Sequence, residues 1–215
     1  MSASAQLSVG LEGGYTYNNL HTNTLPISTV SNGQGGFSIG IPLIYDLPHH
    51  LAISATPHFL QKGYSLDRTG AFAGYYETYK NSYIQLPVSL QASLTYKKWQ
   101  GFINAGVYAG YWITGRVQGV TPGILNIDSS YFTPSAYNEK YTFDNTRDRR
   151  MEFGWTAGAG ISYALTEKYA WRIGVSYAQA LTDQQKNYME RQSARFNRTF
   201  LFTTGILVHL NKTTK

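Results

Sequence analysis

The chain has 215 residues, a formal net charge of +6, no cysteine, 21 glycines and 18 tyrosines. The absence of cysteine excludes disulfides and thiolate metal sites. The absence of any run of about 18 apolar residues excludes a membrane-crossing helix.

From residue 7 onward the hydrophobicity alternates with a period of two, the mark of a β-strand with two unlike faces. In 7–17, Leu7, Val9, Leu11, Tyr15 and Tyr17 oppose Ser8, Gly10, Glu12, Gly14 and Thr16. In 37–45, Phe37, Ile39, Ile41, Leu43 and Tyr45 oppose Ser38, Gly40 and Pro42. In 51–59, Leu51, Ile53, Pro57 and Phe59 oppose Ala52, Ser54, Thr56 and His58. Then Ile84, Leu86, Val88, Leu90 and Leu94 oppose Gln85, Pro87, Ser89, Gln91 and Ser93. In 103–114, Ile103, Val107, Tyr111 and Ile113 oppose Asn104, Tyr108, Trp112 and Thr114. In 151–163, Met151, Phe153, Trp155, Ile161 and Tyr163 oppose Glu152, Gly154, Thr156 and Ser162. The last two segments set Trp171, Ile173 and Val175 against Arg172, Gly174 and Ser176, and Phe200, Phe202 and Ile206 against Leu201, Thr203 and His209.

A face made of Glu, Thr, Ser and Gly is no hydrophobic core, so the large apolar face must meet something other than a core. Lipid outside and a polar lumen inside satisfy both faces. The expected fold is therefore all-β: an eight-stranded antiparallel up-and-down transmembrane β-barrel. The connections alternate in the way such barrels require. Three are short (46–50, 96–98 and 165–168) and four are long (18–32, 66–81, 117–150 and 182–198), which places both termini in the periplasm. Large aromatics gather at two heights. Tyr15, Tyr17, Phe37, Phe59, Tyr111, Phe153, Trp155, Tyr177 and Phe200 mark the outer rim, and Tyr45, Trp99, Tyr163, Tyr169 and Trp171 the inner rim. Two girdles at two interfaces follow from amphipathic rings preferring the headgroup level.

The domain reading is a single barrel over 6–210, followed by a polar tail over 211–215. Residues 1–5 read as a remnant in which Ala3-Ser4-Ala5 has the small side chains of a signal-peptide cleavage site. Pro42, Pro57 and Pro87 each remove a ladder hydrogen bond, so the registers beside them are open.

The inward face carries a candidate lumen network of Glu12, Lys62, Arg116, Glu152 and Arg172, in which the two carboxylates neutralise the cations and plug the barrel. No catalytic residue, cofactor or metal is expected. Eight-stranded barrels that modify outer-leaflet lipid need a polarised Ser beside a His and an acid. Of the five His, only His21 has the right height. The glycines of 154–160 alternate as a strand with no helix after them, so they are not a phosphate cradle. The long loops concentrate aromatics: Phe72, Tyr75, Tyr76 and Tyr79 in the second, Tyr131, Phe132, Tyr137, Tyr141 and Phe143 in the third. Such residues on a rigid scaffold suggest a partner-binding surface. The basic balance, including Lys186, Arg191, Arg195 and Arg198 of the fourth loop, is assigned to lipid and lipopolysaccharide phosphates, since no nucleic-acid motif accompanies it.

Several stretches resemble one family. Pro57-His58-Phe59-Leu60-Gln61-Lys62-Gly63-Tyr64, Tyr83-Ile84-Gln85-Leu86-Pro87-Val88, the run from Gly101 to Tyr111, and Phe153-Gly154 with Gly158-Ala159-Gly160 are similar, in order and spacing, to motifs of the PorT-like outer-membrane β-barrel proteins of Bacteroidetes. Gln85 stands where that family usually has Glu, and the chain ends in Leu210 and a polar tail instead of an aromatic residue. The expected barrel is monomeric and, on its site chemistry, non-enzymatic. It would act as scaffold or binding protein for other envelope proteins, and the resemblance implies a link to type IX secretion. A lipid-modifying enzyme and a purely structural barrel are the alternatives.

Overall fold

The computed structural model describes residues 7–22, 29–125, 132–190 and 192–210, with the backbone alone for 123–125, 132 and 133. The segments 1–5 and 211–215 and the side chains of Tyr131 and Phe132 lie outside the described residues. Most of the remainder is strand: β1 (Leu7–Thr22), β2 (Thr29–Gly40), β3 (Leu43–Asp46), β4 (Leu51–Ala55), β5 (His58–Arg68), β6 (Tyr76–Tyr96), β7 (Trp99–Leu125), β8 (Phe132–Lys140), β9 (Met151–Ala164), β10 (Tyr169–Ala180) and β11 (Arg195–His209).

Every pairing is antiparallel, and the sheet closes on itself. β1 pairs with β11 from Ser8↔His209 to Thr22↔Arg195. On its other side β1 meets β2 and, below it, β3. The ring continues through β2–β5 and β3–β4, then β5–β6 and β4–β6, then β6–β7, β7–β9, β9–β10 and β10–β11. Among the described residues β8 pairs only with the upper part of β7, from Arg116↔Lys140 to Leu125↔Phe132.

Eleven strands stand where the sequence pattern leads one to expect eight, for two physical reasons. Ile41-Pro42 and Thr56-Pro57 interrupt the ladder, so β2 and β3 are separate strands, as are β4 and β5. The third long loop also builds a strand of its own, β8. Pro87 leaves β6 unbroken. The proline carbonyls join neighbouring strands, with Gly10 N–H donating to Pro42 O (2.9 Å), Ile41 N–H to Pro57 O (3.0 Å) and Thr56 N–H to Pro87 O (3.2 Å).

The barrel is apolar outside and polar inside. Ile103 and Val107 are 65% and 66% exposed, and Leu11, Ile39, Ile84, Leu90, Ile161 and Phe202 stand out on the same surface. Buried inside are Ser8, Glu12, Thr16, Ser54, His58, Lys62, Gln85, Gln91, Glu152, Thr156 and Ser162. The aromatic bands are contiguous. Trp155, Tyr177 and Phe200 contact in sequence at 5.5 and 4.9 Å, Phe37 meets Phe59 at 5.8 Å, and Trp99 meets Tyr163 at 4.7 Å on the opposite rim. The short-turn end bends tightly enough to hold Lys97 at φ 55° and His49 and His50 at φ 64° and 61°, the left-handed region that side chains seldom occupy.

One irregularity decides the faces above the outer rim. β6 and β7 shift register between Ser82 and Tyr83: Ser82 pairs with Thr114 but Tyr83 with Trp112, which leaves Ile113 as a bulge. A one-residue slip exchanges the faces of everything beyond it. Below the bulge the even residues Tyr108 and Trp112 point inward; above it Gly115 and Gly119 are the buried ones and Arg116 is exposed.

Candidate functional site

The interior is layered. At its centre Lys62 forms an ion pair with Oε1 of Glu152. Tyr108 Oη donates to the same oxygen (2.9 Å), and Asn197 Nδ2 donates to Oε2 (2.6 Å). Asn18 Nδ2 donates to Asn197 Oδ1 (3.1 Å), and Thr199 Oγ1 to Asn18 Oδ1 (2.7 Å). The ammonium of Lys62 also lies 4.8 Å from the ring centre of Tyr83 and 5.1 Å from that of Tyr108. The cluster spans β1, β5, β6, β7, β9 and β11. A carboxylate enclosed in this way is stable only because both of its oxygens have donors.

A second pair lies lower, where His58 Nε2 meets Glu12 Oε1 at 2.8 Å. Gly40 makes room for it: a side chain there would collide with the imidazole of His58. Arg172 departs from the expected network. Its guanidinium donates to Gln91 Oε1 (2.9 Å) and lies 3.5 Å over the ring of Phe102, and among the described residues it has no ion pair. Arg116 is outside the lumen altogether, because the bulge at Ile113 turns it outward. Of the five expected members, Lys62 and Glu152 are brought together, Glu12 takes His58 as its partner, Arg172 has neutral partners, and Arg116 is excluded.

Above the central cluster the barrel mouth is closed by aromatics. Trp112 stacks on Tyr83 (6.1 Å) and on Tyr141 (4.9 Å), and meets Phe143 edge-on (4.9 Å). Tyr64 stacks on Tyr79 (4.8 Å) beside Leu20 and Leu66. The segment 141–150 is tied down by its own polar knot: Tyr141 Oη donates to Asp148 Oδ1 (2.9 Å), Arg147 to Asp148 Oδ1 (3.0 Å) and to Tyr141 Oη (2.8 Å). Burial and the adjacent Asp148 push the Tyr141 phenol up. The Asp144 carboxyl is held low by the Thr146 backbone N–H. The neighbouring loop crosses the same mouth, where Gln184 Nε2 donates to Tyr83 Oη (3.0 Å) and Lys186 N–H to Arg147 O (2.7 Å). At the short-turn end lies a polar cavity of about 200 Å³ lined by Asp46, Gln91, Lys97, Lys98, Ser162 and Arg172 among others.

The expected partner-binding aromatics divide. Phe72, in a one-turn 3-10 segment, and Tyr76, at the start of β6, are 47% and 40% exposed. Tyr75 and Tyr137 are half-buried. Burial and nearby Glu77 push the Tyr137 phenol up to about 12. Tyr79 is corrected: it lies on β6 and turns into the mouth against Tyr64, so it is no loop residue. Tyr141 and Phe143 likewise belong to the closure. Sequence reasoning could have found Tyr79 from its parity with Tyr83 and Gln85. Nothing in the sequence signals that 141–150 folds back.

His21 is exposed, and among the described residues no cluster of His, Asp and Glu could hold a metal ion. A closed antiparallel ring with a lipid-compatible exterior and a hydrogen-bonded interior is the build of an integral outer-membrane β-barrel protein. The chain belongs to the outer membrane protein beta-barrel domain family, which matches residues 2–185. No curated protein matches the sequence. Among solved structures it is similar to the outer membrane protein OprG from Pseudomonas aeruginosa, with 10% identity and a TM-score of 0.55 over 95% of this chain and 96% of that one. It is similar also to the outer membrane protease OmpT from Escherichia coli, with 8% identity and a TM-score of 0.56 over 97% and 99%. At such identities the likeness concerns the fold. One of these two neighbours is a protease, so the fold alone does not decide between catalysis and binding.

Proposed function

We propose that this integral outer-membrane protein is a non-enzymatic, monomeric scaffold whose long-hairpin end engages other envelope proteins. In this reading eight staves cross the bilayer: β1, β2 with β3, β4 with β5, β6, β7, β9, β10 and β11. The short turns and both termini lie in the periplasm, and β8 stands beyond the hydrocarbon core. The observation that carries the proposal is the open edge of β8. Among the described residues it pairs on one side only, and an unpaired edge is a template for an added strand. Phe72 and Tyr76, exposed at the same end of the barrel, supply apolar contacts of the kind that anchor interfaces. The motif resemblance to PorT-like proteins supports a partner within a secretion apparatus.

The test is affinity purification from native envelope with the intact protein and with a variant in which 119–138 is replaced by a tight turn. Heat-modifiable gel mobility reports folding, which the shortening should leave intact because the ring gives up only its last two β6–β7 pairs, Glu77↔Gly119 and Tyr76↔Val120. Loss of protein partners from the shortened variant is the expected outcome. Retention of every partner would move the binding surface elsewhere.

A further inference from the structure

The bulge at Ile113 has placed three cations in one line. Lys80 of β6 pairs with Arg116 of β7, and Arg116 pairs on its other side with Lys140 of β8. Directly opposed residues share a face, so all three side chains project together, and all three are exposed. None makes an ion pair among the described residues. Like charges directly opposite one another in a sheet are destabilising. An in-register row of three without a countercharge is therefore an arrangement that the isolated protein does not favour.

The face and the height of this row identify the countercharge. Lys80 has the parity of Ile84, a lipid-facing residue paired with Tyr111 of the outer aromatic band. The row thus lies on the membrane side of the sheet, four residues beyond that band, or about 13 Å along the strand. On strands tilted about 40° that is about 10 Å of height, the outer part of the headgroup layer. Glu77, by parity, lies on the inward face with Tyr79, and Glu139 pairs with Val117 on the face opposite to Lys140. One step further out on the outward face, Gln118 pairs with Asn138, offering amide groups that suit sugar hydroxyls.

We propose that Lys80, Arg116 and Lys140 form a docking site for the phosphate groups of an outer-leaflet glycolipid, the lipid A part of lipopolysaccharide. The proposal deepens the membrane topology given above and rests on it. It is independent of whether β8 engages a protein.

Two measurements test it on folded, full-length protein in zwitterionic detergent, with a Lys80→Gln/Arg116→Gln/Lys140→Gln variant. In native mass spectrometry with bisphosphorylated lipid A, the variant should bind about a hundredfold more weakly, at roughly fivefold for each of its three basic residues. Dephosphorylated lipid A should bind both proteins equally, and inorganic phosphate should not compete at millimolar levels. In thermal unfolding at low salt the sign should reverse. Without lipid the variant should melt at or above the intact protein, since repulsion has been removed, whereas lipid A should raise the midpoint of the intact protein more. Equal binding of lipid A by both proteins, or binding by the intact protein that ignores the phosphates, would overturn the proposal. If the membrane orientation were wrong but the chemistry right, the binding difference would persist, while cysteines at these positions would label from the periplasmic side.

Discussion

The Lys62–Glu152 pair offers the most direct test of how the lumen is held together. Lys62 is 1% exposed, and replacing it with Met keeps most of its length while removing the charge. The thioether would sit among Tyr83 and Tyr108, rings that accept sulfur contacts, so the packing loss is small. What is lost is, among the described residues, the only cation paired with Glu152, a carboxylate that is itself buried. Breaking a buried pair from one side costs about 3–5 kcal/mol, because the remaining charge has no compensation. Tyr108 and Asn197 still donate to Glu152, which places the expected value near the lower end, about 3 kcal/mol. The paired change Lys62→Met/Glu152→Gln removes both charges and keeps hydrogen-bonding capacity toward Tyr108 and Asn197. It should therefore recover most of the loss, a clear departure from additivity. Urea unfolding in lipid vesicles, followed by tryptophan fluorescence, measures all three variants. A Lys62→Met variant within about 1 kcal/mol of the intact protein, or a double variant as unstable as the sum of its parts, would refute the reasoning.

Arg172→Met should cost less than Lys62→Met, about 1–2 kcal/mol, since it removes a hydrogen bond to Gln91 and a ring contact with Phe102 but leaves no carboxylate stripped of its ion-pair partner; the same unfolding assay ranks the two. In planar bilayers the folded protein should show no stable large conductance steps, because aromatics close its mouth and ion pairs fill its centre; such steps would contradict the closure. Asp144 is exposed, and its carboxylate accepts from the Thr146 backbone N–H at 2.8 Å. Its lowered pKa means that this contribution to loop order is present at neutral pH and disappears only as pH falls through the lowered value, below the usual carboxylate figure of about 3.9. Carboxyl NMR titration of that residue would check the direction.

The two faces of the barrel were readable from the sequence because parity is a local property. Leu11 against Glu12, or Ile103 against Asn104, needs no knowledge of the partner strand. Arg116 was misplaced for the complementary reason. Its face depends on a slip at Ile113 that leaves no mark in a run of residues whose pattern continues smoothly from Tyr111 to Val117. Glu12 and Arg172 point inward as the pattern implied, but inward side chains choose partners by height and reach. His58 and Gln91 won by distance, which the sequence does not encode. The fold-back of 141–150 was invisible because it is made by contacts between Tyr141, Phe143 and Trp112, residues whose meeting depends on the whole ring being closed. Proline was legible as an interruption, yet only two of the three interrupt.

The seam between β1 and β11 gives the chain a particular order of assembly. Most of the other seams join strands near one another in sequence, whereas Ser8 reaches His209 across 201 positions. Closing so long a loop costs about 5 kcal/mol of chain entropy against roughly 1.5 kcal/mol for a five-residue turn. The hairpins therefore form first, and the final event is the meeting of two strand edges that have stayed open throughout. Until that event the nascent sheet has two unsatisfied borders inside or beside a membrane, where a bare peptide group is costly. Any machinery that speeds insertion gains most by holding one of these borders, and a foreign strand able to imitate β11 would halt the protein at its last step.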